Sequence, residues 1–223
     1  MTDSIQNGRV VTEYFVFYPH VGQSALFATE HEVQSAVPTF FAKFIAPNAQ
    51  RLKDRAFLKQ ASRTDWWGLM SPRSWSAGAT PKIISKFFGG EGAFLCDVDG
   101  IHLPVMGHAW ILKDGQQGEA EDEVPLSHLL FAYSALLNSE PFARLLAIYS
   151  PHVAGGQFDL STRHVNPIPV PNLLELSAEA NRGSAIEELA LLGRNVDVTN
   201  PMWRARVSNL VALLYGTSAI SSL

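Results

Sequence analysis

Positive charge and tryptophan coincide in one stretch of the chain, residues 51–86. Eight Lys or Arg residues stand there against two Asp residues, whereas the formal net charge of the whole chain is −4. Trp66, Trp67 and Trp75 lie in the same stretch. Cationic side chains attract phosphates, and flat rings offer surfaces on which bases stack. The stretch therefore predicts contact with nucleic acid, with the tryptophans serving either as stacking surfaces or as core anchors.

The individual cations suggest different tasks within such an interface. Arginine suits bidentate recognition of guanine edges, whereas lysine more often contacts phosphate. Arg163 and His164, in a loop ahead of a Pro-rich segment, supply contacts from a second direction. The predicted DNA-contacting residues are Arg63, Trp66, Trp67, Arg73, Ser74, Trp75, Lys82, Lys86, Arg163 and His164.

The sequence contains no residue pattern typical of catalysis or metal binding. Its seven histidines form no helical His-x-x-x-His pair, and the single Cys96 excludes a cysteine-built zinc site. Walker-type loops, dinucleotide-binding glycine fingerprints and Gly-x-Ser-x-Gly elbows are also missing. Asn200-Pro201-Met202-Trp203 matches an Asn-Pro-Pro-Tyr motif only in part, and we interpret it as a capped helix start. We predict no catalytic residue, no metal site and no cofactor in this chain.

Hydropathy patterns and turn residues predict the elements that position these side chains. We expect strands over 10–18, 82–88, 93–98 and 109–112, and Gly89-Gly90 and Asp99-Gly100 mark turns. Apolar spacing predicts helices from Pro38 and over 127–137, 141–149, 184–193 and 201–215. The pattern indicates an α+β fold, a small mixed sheet with flanking helices. We expect one domain over 1–223, with 172–223 as a possible C-terminal helical portion.

Composition places the chain among folded proteins rather than disordered ones. Hydrophobic residues make up 47% and charged residues 17%. No apolar run approaches the roughly 20 residues that span a bilayer, and the first residues lack the features of a signal peptide. We therefore expect a cytoplasmic protein without membrane contact. Residues 97–123 carry a net charge of −6, which we interpret as solvated surface.

The order of these landmarks resembles a known family. Tyr18-Pro19, Trp66-Trp67, Pro81-Lys-Ile-Ile84 and Gly92-Ala-Phe-Leu-Cys-Asp97 precede a second group of landmarks. That group comprises Leu136-Leu-Asn-Ser139, Gly155-Gly156, Ile168-Pro-Val-Pro171 and Leu210-Val-Ala-Leu-Leu-Tyr-Gly216. From about residue 10 to 216 the series resembles the C-terminal target-recognition (specificity) domain of adenine-N6 DNA methyltransferases and fused restriction–modification enzymes.

The resemblance implies a function and a partner. In that family the domain recognises double-stranded DNA, while a separate domain binds S-adenosylmethionine and methylates a flipped adenine. It implies that residues 66–86 face DNA and that the Leu-Asn-Ser and Pro-Ile-Pro elements are scaffold. This chain lacks the cofactor-binding and Asn-Pro-Pro-Tyr motifs, so it resembles a specificity subunit acting with a separate methyltransferase catalytic subunit.

Two other interpretations remain open from the residues alone. The chain is alternatively a non-catalytic adaptor or inhibitor that retains the fold without recognising DNA, which the acidic segment favours slightly. A small enzyme of unrecognised type is the other possibility, and a cluster of buried titratable groups in a pocket would support it.

Overall fold

The computed structural model describes residues 5–11, 16–56, 58, 63–73, 79–104, 106–113 and 124–217. The chain divides into two compact units. The small unit is Phe15–Thr80, and the large unit combines Met1–Tyr14 with Pro81–Leu223. Helices and short strands confirm the predicted α+β class. The division differs from the expected single domain because each unit has its own hydrophobic core.

Antiparallel pairing organises the strands of the large unit. One three-stranded sheet has the order β7-β5-β8, and a second has the order β6-β10-β9. A short hairpin of β1 and β2 lies nearer the N-terminus. The strands are β1 (Ile5–Gln6), β2 (Arg9–Val10), β5 (Lys82–Lys86), β6 (Phe88–Gly89), β7 (Phe94–Asp97), β8 (Gly107–Trp110), β9 (His152–Val153) and β10 (Gln157–Asp159).

Six helices of the described large unit enclose one apolar core. The central contact joins α4 and α8, which approach so closely that a side chain at Gly193 would clash with the carbonyl oxygen of Phe131. Residues 172–217 hold three helices, and their apolar residues contribute to this core. The helices are α4 (Leu126–Leu137), α5 (Glu140–Tyr149), α6 (Thr162–Val165), α7 (Leu173–Ser177), α8 (Ala180–Gly193) and α9 (Pro201–Leu214).

The Leu-Asn-Ser and Pro-rich motifs are built into this core. The Asn138 side chain accepts from the Phe94 amide at 3.2 Å and donates to the Phe94 carbonyl at 2.9 Å. Ser139 caps α5 by accepting from the amide of Phe142. Tyr133 donates to the carbonyl of Pro171 at 3.1 Å. These contacts give both motifs a structural role in the large unit.

The small unit is a helical segment with a short hairpin. Val33 and Phe41 are at the centre of its core, and Phe17 packs against them. Pro38 starts a helix as predicted, and the segment then passes through a π-helical turn at Phe41–Ile45 and a 3₁₀ turn at Ala46–Asn48. Its elements are β3 (His20–Val21), β4 (Ser24–Ala25), α1 (Glu30–Ala36), α2 (Pro38–Phe40) and α3 (Ala49–Lys53).

The predicted strand over 10–18 is not continuous. Strand β2 ends at Val10, and residues 16–19 carry no regular structure. Phe17 instead contacts the rings of Phe27 and Phe40. Phe17, one of the aromatic residues that favoured a strand here, is thus a packing group of the small unit. Residues 12–15 lie outside the described part of the chain.

Candidate nucleic-acid interface

Trp66 and Trp67 are core residues of the small unit. Their exposed fractions are 6% and 7%, and their rings meet edge to face at 5.7 Å between centroids. They pack in the same cluster as Val33, Phe41 and Ile45. Buried rings offer no open face to a base, so the anchor interpretation of these two tryptophans agrees with the structure and the stacking interpretation does not.

Two arginines hold the loop that contains these tryptophans. The Arg55 guanidinium donates to the carbonyls of Trp66 and Gly68, the latter at 3.1 Å. Arg63 pairs with Asp65 and donates to the carbonyl of Leu69 at 3.1 Å. Hydrogen bonding to Asp65 raises the pKa of Arg63, as expected for a guanidinium paired with a carboxylate. Arg63, a predicted DNA contact, is therefore engaged in shaping the loop.

Other cations of the small unit face solvent. Arg73 is exposed, and its carbonyl accepts a hydrogen bond from the Tyr18 hydroxyl at 3.4 Å. Ser74 and Trp75, also predicted contacts, lie outside the described residues. Among the described residues of this unit the exposed cations are Lys43, Arg51, Lys53 and Arg73, of which Lys53 lies 3.8 Å from the Glu30 carboxylate.

Lys82 is buried, contrary to its expected place at a DNA-facing surface. Its side chain is 1% exposed, and its ammonium lies 2.7 Å from the Asp97 carboxylate and 3.0 Å from the Gly100 carbonyl oxygen. Asp97 also contacts His102 at 3.0 Å. Burial raises the pKa of Asp97, but hydrogen bonds from Lys82 and His102 more than offset it and lower the pKa overall. The sequence could not show this because Lys82 meets its partner only through β5–β7 pairing.

Lys86, at the other end of β5, is partly exposed. Its ammonium makes no hydrogen bond or ion pair with another described residue. Lys86 lines a groove of about 330 Å³ in the large unit. Its charge is therefore available to an external anion.

Arg163 and His164 are presented by the short helix α6, directly after β10. The Arg163 side chain is 75% exposed, and its Nε donates to Nε2 of His164 at 2.9 Å. The Asp159 carboxylate lies 3.5 Å from the Arg163 guanidinium and 3.7 Å from the His164 ring. Asp159 also accepts from the amide of Ser161 at 2.8 Å, which fixes the carboxylate. Asp159 thus positions both predicted residues at the surface.

A pair of rings, Phe87 and His108, was not among the predicted contacts. Their centroids are 5.0 Å apart, and Phe87 is 39% exposed. Burial lowers the pKa of His108, which favours its neutral form. Nε2 of His108 is buried without a hydrogen-bond partner in the described structure. In the sequence, Phe87 directly follows the predicted contact Lys86, and this adjacency could have indicated Phe87.

Strand pairing brings these groups to the same end of β5. Ser85 pairs with His108, so His108 lies beside the end of β5 that carries Lys86, although side chains alternate along the strand and Lys86 is on the other face of the sheet. The Leu160 amide donates to the Phe87 carbonyl at 3.1 Å, which joins β10 to the same end. We call this region the basic-aromatic patch; it consists of Lys86, Phe87, His108, Arg163 and His164. The patch thus contains three predicted contacts, Lys86, Arg163 and His164, and the rings of Phe87 and His108. Lys86 and Arg163 are more than 70 residues apart in the sequence.

Comparison with known proteins was made at the levels of family and individual sequence. No family model matches this chain. The curated proteins compared with it give no match either. The resemblance to target-recognition domains therefore stays a prediction.

The patch has the chemistry of a binding surface for a polyanion. Its exposed guanidinium, which has Asp159 as a neighbour, and its ammonium, which is unpaired within the described residues, attract phosphates, and its rings supply flat contact area. Within the described residues, no group of three His, Cys, Asp or Glu side chains is arranged to hold a metal ion. No helix in that same part of the chain has the length and apolar character needed to cross a membrane.

Proposed function

We propose that this chain is the sequence-specific DNA-recognition module of a restriction–modification or DNA-methylation system. The observation that supports this function is the basic-aromatic patch, where Lys86, the exposed Arg163 and the Phe87–His108 ring pair meet around one end of β5. Charge and flat surface coincide there on groups that solvent reaches. The buried Trp66 and Trp67 do not provide that combination.

The side chains of the patch suit different parts of a duplex. Arg163 carries a planar guanidinium fork that can pair with guanine in the major groove. Lys86 offers a compact charge suited to phosphate, which positions a protein without selecting sequence. Phe87 supplies apolar contact for sugars or thymine methyl groups. Arg163 is therefore the patch residue expected to affect base preference.

The small unit adds a second source of positive charge. Phe15–Thr80 contains seven Lys or Arg residues against four Asp or Glu residues, whereas the whole chain is net acidic. Lys43, Arg51, Lys53 and Arg73 are exposed on it. We propose phosphate contacts for these cations, with Arg73 retained as a candidate for base recognition. A localised charge of this kind binds DNA even where the total charge is negative.

The proposal includes a catalytic partner. A separate adenine-N6 methyltransferase chain would bind S-adenosylmethionine and perform the transfer, while this chain selects the site. Purification of the native complex tests this part directly. Recovery of the chain with a methyltransferase that lacks its own recognition domain supports the partnership, and recovery of the chain alone opposes it.

Salt-dependent DNA binding tests the proposal on the full chain. Fluorescence anisotropy of a labelled mixed-sequence duplex would be measured over a series of salt concentrations. We expect affinity to fall at least about tenfold between low and moderate salt, because binding releases counterions from several phosphates. Lys86→Ala should reduce the logarithmic salt slope by about one, as expected for a lost phosphate contact.

Variants at two arginines give a matched comparison. Arg163→Ala should weaken binding and change sequence preference by about 1 to 3 kcal/mol at one position. Arg206→Ala removes the same guanidinium from α9, outside the patch, so we expect binding close to wild type. Absence of duplex binding at low salt, or equal binding by wild type, Lys86→Ala and Arg163→Ala, would contradict the proposal.

A further inference from the structure

Four of the ten residues that line the groove beside Lys86 are glycine. The groove is about 330 Å³ in volume and lies within the large unit. Glu91 also lines it, but the Glu91 carboxylate is paired with the Arg204 guanidinium at 3.2 Å. The lining residues are Gln6, Asn7, Lys86, Gly89, Gly90, Glu91, Gly92, Ala93, Gly156 and Gln157.

The fold accounts for three of the four glycines in this lining. A side chain at Gly89 would clash with Ala93, and Gly92 and Gly156 have φ values of +76° and +71° that favour glycine. Gly90 has neither reason. A Cβ there would meet only the Phe158 ring, at 3.8 Å, which is ordinary van der Waals contact. Packing within the chain therefore leaves room for a side chain at Gly90, and its absence keeps this part of the groove open.

The polar groups of the groove indicate what that ligand is. Lys86 supplies one cation that is unpaired within the described structure. Gln157 is exposed on β10 and carries an amide. Asn7 is held in place by hydrogen bonds with Asp197 and Val198. One cation, amides and close main chain match the groups that proteins use to bind phosphate and sugar.

We infer that this groove holds a stretch of the sugar–phosphate backbone of DNA, with Lys86 on a phosphate and Gly90 allowing close approach. The inference rests on the proposed function and extends it, because Lys86 belongs to both the groove and the basic-aromatic patch. The same duplex then contacts the patch with one segment and the groove with the next. Gly90 thereby becomes a determinant of affinity without contributing a side chain.

A bulky residue at Gly90 tests whether the groove is occupied. Gly90→Val adds three carbon atoms to the floor, and Ala178→Leu adds three at an exposed position after α7. In the anisotropy assay with the mixed-sequence duplex, we expect Gly90→Val to weaken binding by about tenfold, because phosphate contacts supply much of the affinity. Ala178→Leu should bind as wild type. Thermal unfolding of each variant checks its fold, and Gly90→Ala gives a milder second test.

A tethered cleavage reagent provides a measurement that does not depend on affinity. Burial raises the pKa of the single native Cys96 to about 12, so an introduced surface cysteine is the reactive thiol. An iron–EDTA reagent attached to Gln157→Cys should cut the bound duplex. The same reagent on Ala178→Cys should not.

The outcomes separate the inference from the proposed function. Weak binding by Gly90→Val together with cutting from position 157 supports the groove. Wild-type binding by Gly90→Val, or no cutting from position 157, overturns the groove while the effect of Arg163→Ala still supports DNA recognition by the patch. A wild-type chain that binds no duplex at low salt overturns both.

Discussion

Lys82 and Lys86 lie on the same face of β5, since side chains alternate along a strand. Lys82 is 1% exposed and paired with Asp97, whereas Lys86 is partly exposed and unpaired within the described residues. Loss of one partner from a buried ion pair leaves an uncompensated charge. We expect Lys82→Met to lower the free energy of unfolding by about 3 to 5 kcal/mol.

Lys86→Met is the control in the same strand. Its stability should stay within about 0.5 kcal/mol of wild type, because the replaced group is at the surface. Its DNA affinity should fall, whereas that of Lys82→Met should be unchanged where the variant is folded. Urea denaturation and anisotropy measure the two effects. Equal stability losses for both lysines would contradict the assigned environments.

His20 makes the small unit sensitive to pH. Its buried ring accepts from the Leu69 amide at 2.8 Å, and burial, followed by the charge of Arg63, lowers its pKa below the ordinary 6.5. Because the folded-state pKa is the lower one, this group contributes its full stability above pH 6.5. The contribution is lost as the pH falls through the folded-state pKa.

A His20→Gln variant tests that dependence. Glutamine offers an acceptor to Leu69 but does not titrate, so the fall in stability below neutral pH should be smaller than in wild type. Denaturation by urea at a series of pH values, followed by tryptophan fluorescence, measures it. Identical pH profiles would show that His20 does not carry the effect.

At the scale of elements, Asn138, directly after α4, forms hydrogen bonds with the edge strand β7. Strand β7 pairs with β5 on one side only, and Asn138 satisfies both the amide and the carbonyl of Phe94 on the other. Asn138→Ala leaves these buried groups without partners. We expect a loss of about 2 to 4 kcal/mol of unfolding free energy by urea denaturation.

Ser134 supplies a control one helical turn away. Its hydroxyl is buried and makes no hydrogen bond within the described structure. Ser134→Ala should therefore cost less than about 1 kcal/mol and could stabilise the chain. If both variants lose the same stability, the Asn138 bridge is not the cause.

At the scale of the whole molecule, the two separate cores predict that the two units unfold locally and independently of each other. Ile45 is 5% exposed in the small core and Leu189 is fully buried in the large one. We expect Ile45→Ala to lower hydrogen-exchange protection by about 2 to 5 kcal/mol within Phe15–Thr80, with smaller changes in α4 and α8. Leu189→Ala should show the opposite distribution. Uniform loss of protection in both variants would indicate one cooperative unit.

Local patterns in the sequence were sufficient for much of the fold. The predicted helix over 127–137 corresponds to Leu126–Leu137, and that over 201–215 to Pro201–Leu214. Strands 82–88 and 93–98 were placed to within three residues of β5 and β7. Apolar periodicity, caps and turns act between near neighbours, so they can be interpreted without tertiary contacts. The prediction of a continuous strand over 10–18 was wrong because Phe17 packs in a core that periodicity does not reveal.

The candidate site depended on the tertiary structure much more strongly. Sequence alone determined that positive charge and tryptophan are concentrated in 51–86, and that Arg163 and His164 form a second basic point. Only the fold decided that Trp66, Trp67 and Lys82 are buried, and that Phe87 and His108 meet beside Lys86. The physical reason is that burial and pairing are set by residues distant in the chain, such as Asp97 for Lys82. Residue type determines what a side chain can bind, and tertiary contacts determine whether it is available.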